Sequence, residues 1–249
     1  LFQDDESIKI AAKLNVSHKD FNAMYQEYDR LVKIGRIVEI DKRVKQFIMR
    51  YADGVIVNVG AELDTMFSRM DNGRIRWYNV DMPETMELRR KMVESRDREQ
   101  NIGKSILDFS WLDSVKKKPG EAILFVCCDV TKYFTDKKLQ AFLNAIWERF
   151  PGAEVLFDVK NSVGRKRANL KVLTGKKKGS FIKVSIDNCT SLMYDWNIKY
   201  RVLYDRAILN QEDITEMFSS DIARKYRHAI RRKYDKIIQL RLGTERIAI

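Results

Sequence analysis

The chain is poor in the side chains from which most catalytic and metal-binding sites are built. Its 249 residues include two histidines, His18 and His228, and three cysteines. That supply gives no Cys/His cluster with zinc spacing and no nucleophile–histidine–acid set for acyl transfer. Cys127 and Cys128 are adjacent inside an apolar run and Cys189 stands alone. An odd count without framework spacing predicts reduced, buried thiols and a cytoplasmic setting. No run approaches the ~18–20 apolar residues that cross a bilayer. The N-terminus, Leu1-Phe2-Gln3-Asp4-Asp5, has neither the basic region nor the apolar core of a secretory signal, so no membrane partner is expected.

Acidic residues are in deficit, leaving a net charge of +12. Basic runs occur at Lys116–Lys118, Arg165–Arg167, Lys176–Lys178 and Arg231–Lys233. They sit in separate connections without interleaved aromatics, which reads as solvated loops and helix faces, not a stacking platform. Nucleic acid is therefore not expected as a partner, whereas the charge favours an anionic small molecule.

The chain does contain a strand–turn–strand pattern with a carboxylate at a telling distance. Residues 55–59, Val-Ile-Val-Asn-Val, are apolar and β-branched and lead into Gly60; Asp81 follows a second apolar run, Ile75–Val80. In an open α/β sheet the first strand then ends where backbone can approach a ligand. The second ends at an acid able to accept hydrogen bonds from a ribose diol. Glu62 stands where a dinucleotide fingerprint needs another glycine, so the pattern suits a nucleoside ligand without a pyrophosphate, such as S-adenosylmethionine (SAM).

Periodicity sets the rest of the order. Helical spacing runs from Ile8 to about Ile48 through Phe21, Met24, Tyr25, Tyr28, Leu31 and Val32, with a second helix at Val44, Phe47 and Ile48. Strands are predicted at Val55–Val59, Arg74–Val80, Gly103–Leu107, Ala122–Cys128 and Glu154–Val159. Between them lie helices starting at Asp64, at Pro83 and at Asp136. Asn161–Gly179 reads as a long loop. Phe181–Ile186, Thr190–Trp196 and Ile198–Leu203 read as strand, helix and strand, followed by a helix over Asp213–Tyr234 and a strand at Ile237–Leu242. Alternating strands and helices predict a doubly wound α/β fold.

Several ordered segments carry a family resemblance. Gly60-Ala-Glu-Leu-Asp-Thr-Met-Phe-Ser-Arg69, Trp77-Tyr-Asn-Val-Asp-Met-Pro, Ser105-Ile-Leu-Asp-Phe-Ser-Trp111, Val130-Thr-Lys-Tyr133 and Phe150-Pro-Gly-Ala-Glu154 resemble the leucine carboxyl methyltransferase family. That family includes the tetracenomycin-type polyketide O-methyltransferases, the branch this chain looks closer to. The resemblance implies a Rossmann-like class I SAM-dependent methyltransferase fold, with a seven-stranded, mostly parallel sheet and helices on both faces. It implies one domain over 1–249, with a helical cap at 1–50 and a lid insertion at 161–197.

The resemblance also implies site roles. Arg36 would pair with the SAM carboxylate; Gly60, Ala61 and Glu62 would line its methionine portion, and Asp81 and Met82 its ribose. Ser105, Ile106 and Asp108 lie where adenine should be read, and Cys128 follows strand four. Tyr133 would wall the substrate pocket. Asp64, Thr65 and Arg69 match family residues with bracing roles. Two departures stand out: Glu62 replaces the second glycine of the turn, and Cys128-Asp129 replaces a Glu-Gly pair. The expected activity is SAM-dependent O-methylation of a carboxylate on a small or polyketide-like acid, releasing S-adenosylhomocysteine (SAH). The alternative is a catalytically degenerate SAM- or nucleoside-binding protein with a regulatory or scaffolding role.

Overall fold

The computed structural model describes residues 4–17, 19, 27–94, 96–175, 180–209 and 220–244. The chain divides into two compact units, Leu1–Val126 and Cys127–Ile249. Its seven strands run in the order β3-β2-β1-β4-β5-β7-β6, the mostly parallel α/β sheet expected from the sequence.

In the first unit, helices α1 (Asp5–Lys13) and α2 (Glu27–Arg50) precede β1 (Val55–Val59). A short helix α3 (Met66–Met70), β2 (Arg76–Asp81), α4 (Pro83–Met92), β3 (Glu99–Gly103), a 3-10 turn at Phe109–Ser114 and β4 (Ile123–Cys127) follow. β1 pairs in parallel with β2, Val55 opposite Arg76, and with β4, Val55 opposite Ile123. Every residue of β1 and of β4 is buried, as expected for central parallel strands covered on both faces. Pro83 opens α4, where a missing N–H costs no hydrogen bond. Trp77, Trp111, Phe67 and Phe125 fill this core, with Trp111 and Phe125 ring centroids 6.1 Å apart.

The second unit holds a 3-10 turn at Thr131–Tyr133, α5 (Asp136–Arg149), β5 (Glu154–Lys160), α6 (Ser162–Leu173), α7 (Cys189–Trp196), β6 (Tyr200–Ala207), α8 (Ser220–Arg231) and β7 (Asp235–Leu242). β7 lies antiparallel between β5 and β6. Thr135 caps α5 by accepting from the Lys138 N–H, and Leu139, Phe142, Leu143 and Ile146 form its buried stripe.

Four expectations are corrected. β3 lies at Glu99–Gly103, before the apolar stretch assigned to it; it ends the strand order and pairs with β2 alone, so a polar Glu-Gln-Asn start is tolerated. Residues 162–173 form α6, not a loop: Asn161 caps it by accepting from the Gly164 N–H at 2.8 Å. Its apolar side chains are spread over two faces, which hid the period. Phe181–Ile186 is not a strand. Val44, Phe47 and Ile48 continue α2 instead of starting another helix. His18, the expected helical residues Phe21, Met24 and Tyr25, the run Lys176–Lys178 and the start of the 213–234 helix lie outside the described residues. No helix of the described residues is long and apolar enough to cross a membrane.

Candidate functional site

At the end of β1 the chain turns through Gly60, whose φ of +71° is a left-handed value that glycine adopts without strain. The N–H groups of Gly60 and Ala61 both donate to the Val80 carbonyl, at 2.8 and 3.3 Å, which ties the turn to the end of β2. Glu62 follows with φ +42°, and its N–H donates to Asp81 Oδ2 at 2.9 Å. Asp81 Oδ1 accepts from the Met82 N–H at 2.7 Å. Gly60, Ala61, Glu62, Asp81 and Met82 are thus brought together by direct bonds. An ionised carboxylate has about four acceptor positions, so the two bonds leave Asp81 room for a diol. Ala61 is buried, while Met82 is 46% exposed beside the acid.

The adenine candidates are joined to the same strand end. The Lys104 N–H donates to the Asp81 carbonyl at 2.9 Å, and Ser105 and Ile106, both half-buried, follow. Asp108 caps the Phe109–Ser114 turn, accepting from the Ser110 N–H at 3.1 Å. The Ser110 hydroxyl and N–H hold the Asp108 carboxyl below its ordinary value. Arg36 lies half-buried on α2, next to the buried Gly35.

Two buried networks brace the turn. Asp64 accepts from Asn58 Nδ2 at 3.1 Å and from the Met66 N–H at 3.0 Å, fixing the entry to α3. Arg69 reaches Asp41 on α2 through Nε at 2.8 Å, and Asp4 and Thr65 through Nη1 at 2.7 and 2.9 Å. Burial pushes the Asp41 carboxyl up, against the pull of Arg69. Asp4 moves the other way: burial opposes ionisation, but the Thr65 hydroxyl, the Ser7 donors and Arg69 hold it below its ordinary value.

The second network escaped sequence reading. Arg89, 1% exposed on α4, donates through Nη1 to the carbonyls of Glu62 at 3.2 Å and Asp64 at 2.7 Å. Its Nη2 meets Glu99 Oε1 on β3 at 2.8 Å, and Glu99 also accepts from Asn79 Nδ2 at 2.7 Å. The available signal was the i, i+3 pairing of Arg89 with buried Met86, which places an arginine on the inward face of α4.

In the second unit, Cys128 is half-buried after β4 and Asp129 has φ +60°. The Asp129 N–H donates to Asp158 Oδ1 at 2.6 Å, and Lys132 Nζ to Asp129 Oδ2 at 2.6 Å. Tyr133 is 56% exposed, with Lys132 Nζ 4.9 Å from its ring centroid. The backbone therefore keeps left-handed geometry at both sequence departures, Glu62 and Asp129, although neither is a glycine. No group of His, Cys, Asp and Glu among the described residues is arranged to hold a metal ion.

No family model matches the chain. Part of it is similar to the tetracenomycin polyketide synthesis O-methyltransferase TcmP of Streptomyces glaucescens, 28% identical over 124 residues. That match spans 49% of this chain and 45% of TcmP, less than half of the relative's length. Solved structures align far more of the chain. A DUF574 family protein from Streptomyces avermitilis aligns over 95% of this chain and 97% of its own, with a TM-score of 0.60 at 9% identity. Magnesium protoporphyrin IX methyltransferase from Synechocystis, solved with bound SAH, aligns over 95% and 93%, with a TM-score of 0.55 at 9% identity. The fold is that of the class I SAM-dependent methyltransferases. In the methyltransferase fold the crevice outside the carboxyl ends of the strands is the expected ligand site, and the Gly60 turn and Asp81 occupy such strand ends.

Proposed function

We propose that the chain is a SAM-dependent O-methyltransferase of the leucine carboxyl methyltransferase type, acting on the carboxylate of a small or polyketide-like acid. The observation that carries this reading is the joint between the Gly60 turn and Asp81. A left-handed glycine lets backbone approach a ligand, and a carboxylate with free acceptor capacity stands beside it. Similarity of part of the chain to TcmP, and of the fold to a methyltransferase solved with SAH, supports SAM as the ligand.

The donor set fits the cofactor. Asp81 would take the ribose hydroxyls, Gly60 to Glu62 the methionine portion, Met82 an apolar face of the nucleoside, and Ser105 and Ile106 the adenine edge. Arg36 is assigned the SAM carboxylate, and Cys128 the strand-four edge of the site. When bound, SAM supplies an activated methyl group on a sulfonium. A carboxylate acceptor is already ionised near neutral pH, so the chain's own work is to bind and align the partners. That fits a sequence without a general-base constellation. Tyr133 is assigned to the substrate wall and 161–197 to the segment that covers the substrate, in a single functional domain.

A second reading rests on Glu62. Its N–H is committed to Asp81 and its exposed side chain stands where the family has glycine, which suits a protein that binds SAM without turning it over.

Calorimetric titration with SAM and with SAH tests both. Saturable binding, weakened roughly 10–100-fold by Asp81→Ala in a protein with an unchanged circular dichroism spectrum, is the expected result. No binding by the folded wild-type chain would end both readings. Binding without turnover across a panel of carboxylic acids would select the second.

A further inference from the structure

Residues 127–249 hold 25 lysines and arginines against 14 aspartates and glutamates, whereas residues 1–126 hold 22 against 21. Nearly all of the chain's excess positive charge therefore belongs to the second unit. The fold of that unit brings together two basic runs that are far apart in sequence. Asn161, which caps α6, donates through Nδ2 to the Arg232 carbonyl at 2.7 Å, and its N–H donates to the Tyr234 carbonyl at 3.2 Å. A Cβ at Gly164 would lie 2.3 Å from the Tyr234 carbonyl oxygen, so a glycine is needed for this close approach. Arg167 sits 5.3 Å from the Tyr234 ring centroid.

Lys166 and Arg167 on α6 thus stand beside Arg231, Arg232 and Lys233 at the end of α8. All five are exposed, and among the described residues none of them makes an ion pair. The nearby carboxylates are already engaged. Asp187 accepts from the Ser162 N–H and hydroxyl, each at 3.0 Å, and Asp235 is paired with Lys160.

The same face of α6 also carries aliphatic side chains. Val163, Lys166, Arg167, Leu170, Leu173 and Thr174 share one helical stripe and all are exposed, with Val163 at 47%, Leu170 at 58% and Leu173 at 73%. Phe181, 50% exposed, belongs to the segment that Asn169 fastens to α6 through paired bonds with Ile182 at 2.8 and 2.9 Å. A polynucleotide surface would carry successive exposed aromatics for stacking. Here neither α6 nor the Arg231–Lys233 run contains an aromatic, Tyr234 is 7% exposed, and Phe181 is set among aliphatic side chains. Aliphatic side chains between unpaired cations instead match a headgroup layer above acyl chains.

We infer that the α6 face, with the Arg231–Lys233 run, docks on the surface of an anionic phospholipid bilayer. Lys166, Arg167, Arg231, Arg232 and Lys233 meet the headgroups, and Val163, Leu170 and Leu173 enter the boundary below them. This surface does not depend on the methyl-transfer reading and adds a site of action to it. It replaces the expectation of no membrane partner, which addressed spanning and secretory segments and not a peripheral helix face.

The test is co-sedimentation of the full chain with vesicles of phosphatidylcholine alone or mixed with an equimolar share of phosphatidylserine. Binding is expected to the mixed vesicles only and to fall as salt is raised. Each cation near the surface contributes about fivefold, so Lys166→Gln with Arg167→Gln should weaken binding roughly 25-fold. Leu170→Gln with Leu173→Gln should weaken it by about tenfold or more, because apolar insertion is lost. All four positions are on the surface, and circular dichroism confirms the fold of each variant. Equal binding to both vesicle types, or no effect of the leucine pair, would overturn the proposal. So would binding to a generic single-stranded oligonucleotide, lost in the Lys166/Arg167 variant, without vesicle binding.

Discussion

Asp81 accepts the backbone N–H of Glu62 at 2.9 Å, so the end of β2 holds the turn that leaves β1. A residue with φ +42° supplies that donor. The joint between the two strands is therefore built on a conformation that costs an L-residue about 1–2 kcal/mol. Asp129, the second departure from the family pattern, is held in the same way by Asp158, in the second unit. Strain of this kind persists where the surrounding bonds over-determine it, and it concentrates at functional sites.

Glu62→Gly should relieve the left-handed strain while adding conformational freedom to the unfolded chain. The two effects leave a net gain of about 0.5–1 kcal/mol. Glu62→Val, β-branched at positive φ, should lose stability by about 1–2 kcal/mol. Urea midpoints for the two variants check the sign. If both shift the same way, the Glu62 backbone is not held left-handed.

Arg89 and Glu99 form a buried pair, with side chains 1% and 4% exposed. Arg89→Met would leave Glu99 without its cation and the Glu62 and Asp64 carbonyls without a donor. A loss of about 3–5 kcal/mol is expected. Arg89→Met combined with Glu99→Leu should recover part of that loss, because no buried charge remains unpaired. A double-mutant cycle by chemical denaturation measures the coupling.

The two carboxylates on Arg69 should give opposite pH signatures. Asp4 is held below its ordinary value of 3.8, so it stabilises the fold above that pH, and the benefit is lost as pH falls through the folded value. Asp41 is pushed above 3.8, so its contribution is present at low pH and is lost as pH rises through the folded value. Asp4→Asn should therefore flatten the fall in stability on acidification below about pH 4. Asp41→Asn should remove the loss of stability that Asp41 contributes as pH rises above about pH 4. Each slope is compared with that of the wild-type chain by denaturant titration across that range.

The thiols should separate by reactivity. Burial, reinforced by Asp158, pushes Cys127 up, and burial beside Asp205 raises Cys189 to about 12. Cys128 is half-buried. In the native protein iodoacetamide should modify Cys128 ahead of the other two, and denaturation should equalise all three. On the proposed function, SAH should slow the Cys128 reaction. Fragment-ion mass spectrometry distinguishes the adjacent pair.

Much of the architecture was legible in sequence because burial on both faces leaves a local signature. β1 and β4 are unbroken apolar runs, Pro83 marks the start of α4, and the Gly60–Asp81 spacing is set by one strand–helix–strand unit. Features that depend on partners distant in sequence were not legible. β3 is polar because it is an end strand whose Glu99 pairs with Arg89 ten positions before it. α6 escaped because its apolar residues face two ways, and periodicity detects a single buried stripe.

Sequence by itself determined the α/β order, the turn after β1 and the carboxylate that closes it, since each depends on local backbone preference and hydrophobic pattern. Tertiary structure decided which charges are neutralised. It buried Arg89 against Glu99, gave Asp4 and Asp41 opposite shifts on one guanidinium, and set the unpaired cations of α6 beside those at the end of α8. Ion pairing and desolvation depend on distance in space, which separation along the chain does not encode.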